Sequence, residues 1–141
     1  MKEKLNPIPE GYHTVTPYII VEDGAAALDF YHRAFAAEVT EKMTDPATGR
    51  VRHAEFRLGT SMMMMGEHPR AAKEPSKELP ALSFYLYVED VDVMFERAVA
   101  AGAAVINPPD TKHYGNRECG VTDPFGIVWW IASRVAEFQP A

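Results

Sequence analysis

Residues 16–39 read TPYIIVEDGAAALDFYHRAFAAEV, and residues 83–105 read SFYLYVEDVDVMFERAVAAGAAV. A shift of 67 residues lays Val21-Glu22-Asp23 on Val88-Glu89-Asp90, Thr16 on Ser83 and, further along, Gly59 on Gly126. Landmarks kept at one offset point to a unit written twice. Each copy opens on a run rich in aromatic and β-branched residues, Tyr18–Val21 and Phe84–Val88, which predicts a strand. Each strand runs into an aspartate, Asp23 or Asp90, able to accept from the free N–H groups of a helix start. In the second predicted helix Val91, Met94, Phe95, Ala98 and Val99 share one face, and Gly102 ends it. In the first, Leu28, Tyr31 and Phe35 share a face.

Shorter strands follow each helix. AEVTEKM (37–43), the turn TDPATGR (44–50), VRHAEFRL (51–58) and SMMMM (61–65) complete the first copy. AAVIN (103–107), the loop PPDTKHYGNR (108–117), ECGVTD (118–123), the turn Pro124-Phe125-Gly126 and IVWWIAS (127–133) complete the second. The expected fold class is therefore α+β, with two βαβββ modules in a single domain over 1–141. Module 1 covers about 12–66, a proline-bearing linker 67–80, and module 2 about 81–134.

Strand side chains alternate between faces. Ile19 and Val21 oppose Thr16, Tyr18 and Ile20; Phe84, Leu86 and Val88 oppose Ser83, Tyr85 and Tyr87; Trp129 and Ile131 oppose Val128 and Trp130. One face is wholly aliphatic and aromatic, as a helix-covered face should be. The other mixes hydroxyls, tyrosines and an indole.

The totals exclude several classes. Of 141 residues, 47% are hydrophobic and 24% charged, an ordinary globular balance. A net charge of −6 argues against nucleic acid, which needs a basic stripe. Cys119 is the single cysteine, so no intrachain disulfide can form, and a reducing compartment is expected. The start MKEKLNPIPEGYH has no apolar run of a secretory signal, and no segment approaches the roughly 20 apolar residues of a membrane span. The expectation is a cytoplasmic protein without membrane or nucleic-acid partners. Neither a Gly-rich phosphate loop nor HExxH nor GxSxG occurs.

A βαβββ unit written twice, with VED ahead of the helix and DPFG ahead of the last strand, resembles the vicinal oxygen chelate superfamily. That group includes glyoxalase I, extradiol dioxygenases, fosfomycin-resistance enzymes and bleomycin-resistance proteins. PIPEGYHTVTPYIIVED (7–23) and VTDPFGIVWWIA (121–132) look most like its PhnB-like branch within the glyoxalase/bleomycin-resistance group. The resemblance implies a curved mixed sheet with an open cavity on the mixed face and helices on the outer face. It also implies a homodimer, with cavities built across two chains and, in some members, halves exchanged.

In metal-dependent members four side chains from the cavity face hold a divalent ion. Carried onto this chain, the first-strand slots are Thr16 and Ser83, and one last-strand slot is Trp130. The fourth falls on Met63 by the repeat offset, or on Met64 if the hairpin turns differ. None offers imidazole or carboxylate, the donors such an ion needs, so no metal and no cofactor are expected. A thioether suits copper(I), but consecutive strand residues face opposite ways, and the run TSMMMMG (60–66) reads better as packing.

Two functions compete. One is a metal-free protein that binds a small aromatic or cationic organic molecule in a cavity lined by Thr16, Tyr18, Met63 or Met64, Ser83, Tyr85, Tyr87 and Trp130. The family's loop before the seventh strand reaches the cavity mouth, which would add Tyr114 and Arg117. The other is a metal-dependent lyase or dioxygenase with a displaced site built from His53, Glu55, His113 or Glu118. His53 and Glu55 lie two apart on one strand face and could form an acid/base pair, but a solvated, salt-bridged face is the preferred reading of so short a motif. Cys119 has no pattern of an activated nucleophile, and Asp123 and Gly126 read as turn residues. The residues favour binding over catalysis.

Overall fold

A computed structural model describes residues 6–69 and 82–136. The linker expected after residue 67 lies almost wholly outside the described residues. The element order is β1 (Tyr18–Val21), α1 (Gly24–Phe35), β2 (Glu38–Thr44), β3 (Val51–Leu58) and β4 (Ser61–Glu67), then β5 (Phe84–Tyr87), α2 (Val91–Ala101), β6 (Ala104–Thr111), β7 (Asn116–Thr122) and β8 (Val128–Arg134). The fold is α+β, βαβββ twice. Each module forms its own four-stranded mixed sheet, ordered β1-β4-β3-β2 and β5-β8-β7-β6. The sheets are open, and β1 and β5 each stand at an edge.

Local chemistry sets these elements. Asp23 accepts from Ala26 N at 3.0 Å and Asp90 from Val93 N at 3.2 Å, so both helices start on the carboxylate of VED. Gly102 closes α2 at φ 117°, a left-handed cap that glycine adopts without strain. Gly59-Thr60 closes the tight β3–β4 hairpin, Leu58 pairing with Ser61.

One strand runs longer than its sequence suggests. Residues 108–111 belong to β6, not to the loop. Pro108 and Pro109 have no N–H to give a ladder, but β6 is an edge strand and needs fewer donors. The register slips between Asn107 and Asp110, which lets the prolines bulge out of the pairing.

The helix-covered faces of both sheets share one core. Ile19, Val21, Phe56, Met63 and Met65 of module 1 join the same buried cluster as Val91, Cys119, Val121, Trp129 and Ile131 of module 2. Rings cross the seam: Phe35 meets Trp129 at 4.9 Å between centroids, Tyr31 meets Trp129 at 5.6 Å and Phe30 meets Phe125 at 6.0 Å. The helices touch as well, Arg97 Nη2 donating to the Arg33 carbonyl at 3.2 Å.

A buried carboxylate locks this seam. Asp123 is 3% exposed and accepts four hydrogen bonds. Its Oδ1 takes Phe125 N at 2.9 Å and Ile127 N at 3.0 Å, which shapes the DPFG turn. Its Oδ2 takes the Tyr31 hydroxyl of α1 at 2.6 Å and Trp129 Nε1 at 2.9 Å. Burial lifts the Asp123 carboxyl above its ordinary range, and the four donors oppose that rise. Burial, followed by the Asp123 charge, pushes the Tyr31 phenol well up, so it stays a donor.

Among the described residues no helix is long and apolar enough to cross a membrane.

Candidate functional site

The faces turned away from the core are the open ones. Tyr18 and Ile20 of β1 are about half exposed, while Ile19 and Val21 are buried. Tyr85 is 43% and Tyr87 65% exposed, whereas Phe84 and Leu86 pack against the core. A large ring at half exposure has given up burial worth roughly 1 kcal/mol. Three such rings, with Ile20, leave apolar surface exposed on two matching faces.

Pairing settles which methionine joins them. Tyr18 of β1 sits beside Met64 of β4, as Tyr85 of β5 sits beside Trp130 of β8. Met63 and Met65 point into the core, at 3% and 0% exposure. Met64 is therefore the structural counterpart of Trp130, and Met63 is a core residue away from the open face. The two-residue β3–β4 turn and the five-residue turn of residues 123–127 displace the strands by one position relative to the glycine landmark.

Glycine beds hold the rings flat. A Cβ added at Gly120 would lie 2.4 Å from Trp130 Cζ3, so the indole rests on bare backbone of β7. Trp130 Nε1 lies 3.2 Å from Ser83 Oγ, which fixes the ring across the sheet. In module 1 a Cβ at Gly66 would lie 2.8 Å from the Tyr18 hydroxyl. Gly120→Ala is expected to tilt the indole off the sheet and cost about 1–3 kcal/mol of stability. Altered Trp130 fluorescence with the fold retained by circular dichroism would show this; an unchanged spectrum and melting curve would contradict the flat placement.

Each open face carries one carboxylate held by tyrosine. On module 1, Glu55 accepts from Tyr12 and lies 3.3 Å from His53 Nε2; His53 Nδ1 lies 3.1 Å from the Tyr18 hydroxyl. If Glu55 accepts from Nε2–H, the bare Nδ1 accepts from Tyr18, giving a continuous chain Tyr18–His53–Glu55–Tyr12. His53 and Glu55 are thus brought together, as their spacing suggested. On module 2, Glu118 accepts from the hydroxyls of Tyr85 and, at 2.8 Å, Tyr114; Asn116 Nδ2 donates to the Tyr85 oxygen at 2.9 Å. Burial first, then the bond to Glu118, pushes both phenols upward, so they remain protonated donors.

The remaining candidates divide. Thr16 lies half-buried just before β1 and Ser83 just before β5. Tyr114 reaches the open face through Glu118. Arg117 does not: it shares the strand face of Cys119 and pairs bidentately with Asp92 of α2, both bonds 2.8 Å. His113 stacks edge-on against Tyr114 rather than joining His53. Cys119 is buried in the core, where burial pushes its thiol up to about 11, a poor nucleophile. Glu118 and Asn116, which sequence reasoning left out of the ligand face, are placed on it by β7 parity. The alternation was readable, but the strand start was set two residues late.

The donor set does not fit a divalent cation. The slots hold Thr16, Met64, Ser83 and Trp130: two hydroxyls, a thioether and an indole. Among the described residues no three His, Cys, Asp or Glu side chains form a group able to hold a metal ion.

A cavity of about 550 Å³ lies along the exposed edge of β5, lined by Tyr85 to Asp90, the hairpin 58–61, Phe35, and Val93 and Met94 of α2. Tyr85 and Tyr87 of the open face line it, while Tyr114, Glu118 and Trp130 lie outside its lining.

Two βαβββ modules with open sheet faces define the architecture, and comparison supplies the family. The family model of the Glyoxalase/Bleomycin resistance protein/Dioxygenase superfamily matches residues 12–131, and the chain belongs to that superfamily. An uncharacterized protein of Mycobacterium bovis is 33% identical over 129 residues, covering 87% of this chain and 84% of its own length. The crystal structure of TioX from Micromonospora sp. ML1 superposes with a TM-score of 0.67 at 25% identity, over 90% of this chain and all of that one. The PhnB protein from Bacillus cereus matches at a TM-score of 0.67 and 21% identity, over 86% and 99%, which speaks for the fold alone.

Proposed function

We propose that this chain binds a small aromatic or cationic organic molecule on its open faces without a divalent metal. One observation carries the reading: the positions that would hold an ion present Met64 and Trp130 beside exposed tyrosines. Such a surface offers stacking and cation–π attraction of about 0.5–2 kcal/mol per ring, and no Lewis acid. Binding of this kind needs no catalytic group.

We further propose a homodimer that completes the cavity. β1 and β5 are sheet edges with exposed apolar neighbours, which a second chain would cover. The open face of module 1 in one protomer would then stand across from that of module 2 in the other. Sedimentation should give a dimer; a monomer at micromolar concentration would remove this part.

The two tryptophans make the binding test selective. Trp129 is 1% exposed in the core, and Trp130 lies on the open face. Chelator-treated protein titrated with planar aromatic cations should show quenching that Trp130→Phe abolishes. The alternative, a metal-dependent enzyme with a displaced site, predicts one tightly held ion per chain in protein purified without chelator. That result, with quenching only when the ion is restored, would overturn the proposal.

A further inference from the structure

We propose that the open face of module 2 holds an organic ammonium group, with Glu118 as its counter-charge and the rings of Tyr85, Tyr87 and Tyr114 around it. The inference rests on the ligand-binding reading above and narrows it to one chemistry and one set of side chains.

Asp29, Glu38, Asp45, Glu67 and Asp92 each pair with an arginine. Glu118 is different: its carboxylate receives two neutral phenol hydroxyls. Neutral donors orient a carboxylate and leave its charge in place. Asn116 occupies the Tyr85 oxygen from the other side, so the Tyr85 hydrogen is committed to Glu118. Both rings are thereby fixed by their hydroxyl ends.

The rings stand as walls. Tyr85 and Tyr87 lie 5.2 Å apart at 55°, an angled pair rather than a closed stack. Tyr87 is 65% exposed, so its face is offered to whatever enters. An aromatic pair flanking a carboxylate held by neutral phenols suits a compact, weakly hydrated cation such as a methylated or alkylated ammonium. Among the described residues, Arg117 points to the helix side and pairs with Asp92, and Lys112 lies 3.6 Å from Asp110. Arg134 stands opposite Asn116 at the end of the β7–β8 ladder. Module 1 offers a more crowded version, because Glu55 has both Tyr12 and His53 against its carboxylate.

Choline and its uncharged isostere 3,3-dimethylbutan-1-ol separate charge from shape. Titrated into the full-length protein and followed by calorimetry, choline should bind at least about tenfold tighter, a difference of about 1.4 kcal/mol. Raising the salt concentration should narrow that gap. Glu118→Gln keeps an oxygen for the tyrosine hydroxyls and removes the charge; it should erase the preference. Tyr87→Leu should weaken choline severalfold with the carboxylate intact. A neutral planar aromatic, titrated into the wild type and read by Trp130 quenching, tests the broader binding reading without the charge. Equal affinity for choline and its isostere in the wild type overturns the ammonium site, whatever the variants do. If the neutral aromatic still quenches Trp130, the broader binding proposal survives that result; if it does not, both fall.

Discussion

Asp123→Asn is expected to destabilise the protein by about 2–4 kcal/mol, with no change at the open faces. Asp123 accepts from two backbone N–H groups, one phenol and one indole. An asparagine has one acceptor oxygen, and its NH₂ must then face two donors. The phenol and the indole among those donors are buried and cannot turn to water, which is the costly case for a lost hydrogen bond. Tyr31→Phe removes a single donor, keeps the ring in the Phe35–Phe56–Trp129 cluster, and should cost about 1 kcal/mol. Denaturant melts at one fixed protein concentration would order the two variants. A loss under about 0.5 kcal/mol for Asp123→Asn would mean that the seam between the modules is held by ring packing alone.

Met63→Ala and Met64→Ala should behave in opposite ways, although the residues are neighbours. Met63 is 3% exposed among Phe56 and the α1 side chains, so its truncation leaves a cavity and costs about 2–5 kcal/mol. Met64 lies on the open face beside Tyr18 and should cost under about 1 kcal/mol. Its loss should appear in ligand affinity, since it removes a polarizable contact from the proposed cavity floor. Thermal melts paired with the Trp130 quenching titration read both effects. Equal destabilisation by the two substitutions would contradict the strand alternation on which the site assignment rests.

The repeat and the helix caps could be read directly from residues. VED ahead of each helix is a local signal, because an aspartate caps whatever N–H groups follow it. The burial pattern of β3 likewise follows its alternation, with Ala54, Phe56 and Leu58 inside and His53, Glu55 and Arg57 outside. What could not be read depends on partners distant in the chain. The glycine landmark left Met63 and Met64 tied, since hairpin length, not spacing from Gly59, sets the pairing with Tyr18. Arg117 read as a loop residue near the cavity because Pro108-Pro109 suggested a long loop. Once β7 begins at Asn116, parity sends Arg117 to α2 and brings Glu118 outward. Asp123 read as a turn residue, and it is one; its bond to Tyr31, 92 positions away in sequence, could not be inferred from DPFG.

The methionine run that raised the metal question also provides the most direct test. Methyl-labelled methionines in chelator-treated, full-length protein report each face separately when a planar aromatic cation is added. The account predicts that the Met64 methyl shifts with saturation while Met63 and Met65, buried on the opposite side of β4, hold still. A shift that appears only after a divalent ion is supplied, or one confined to Met63 and Met65, would contradict metal-free binding on the open faces.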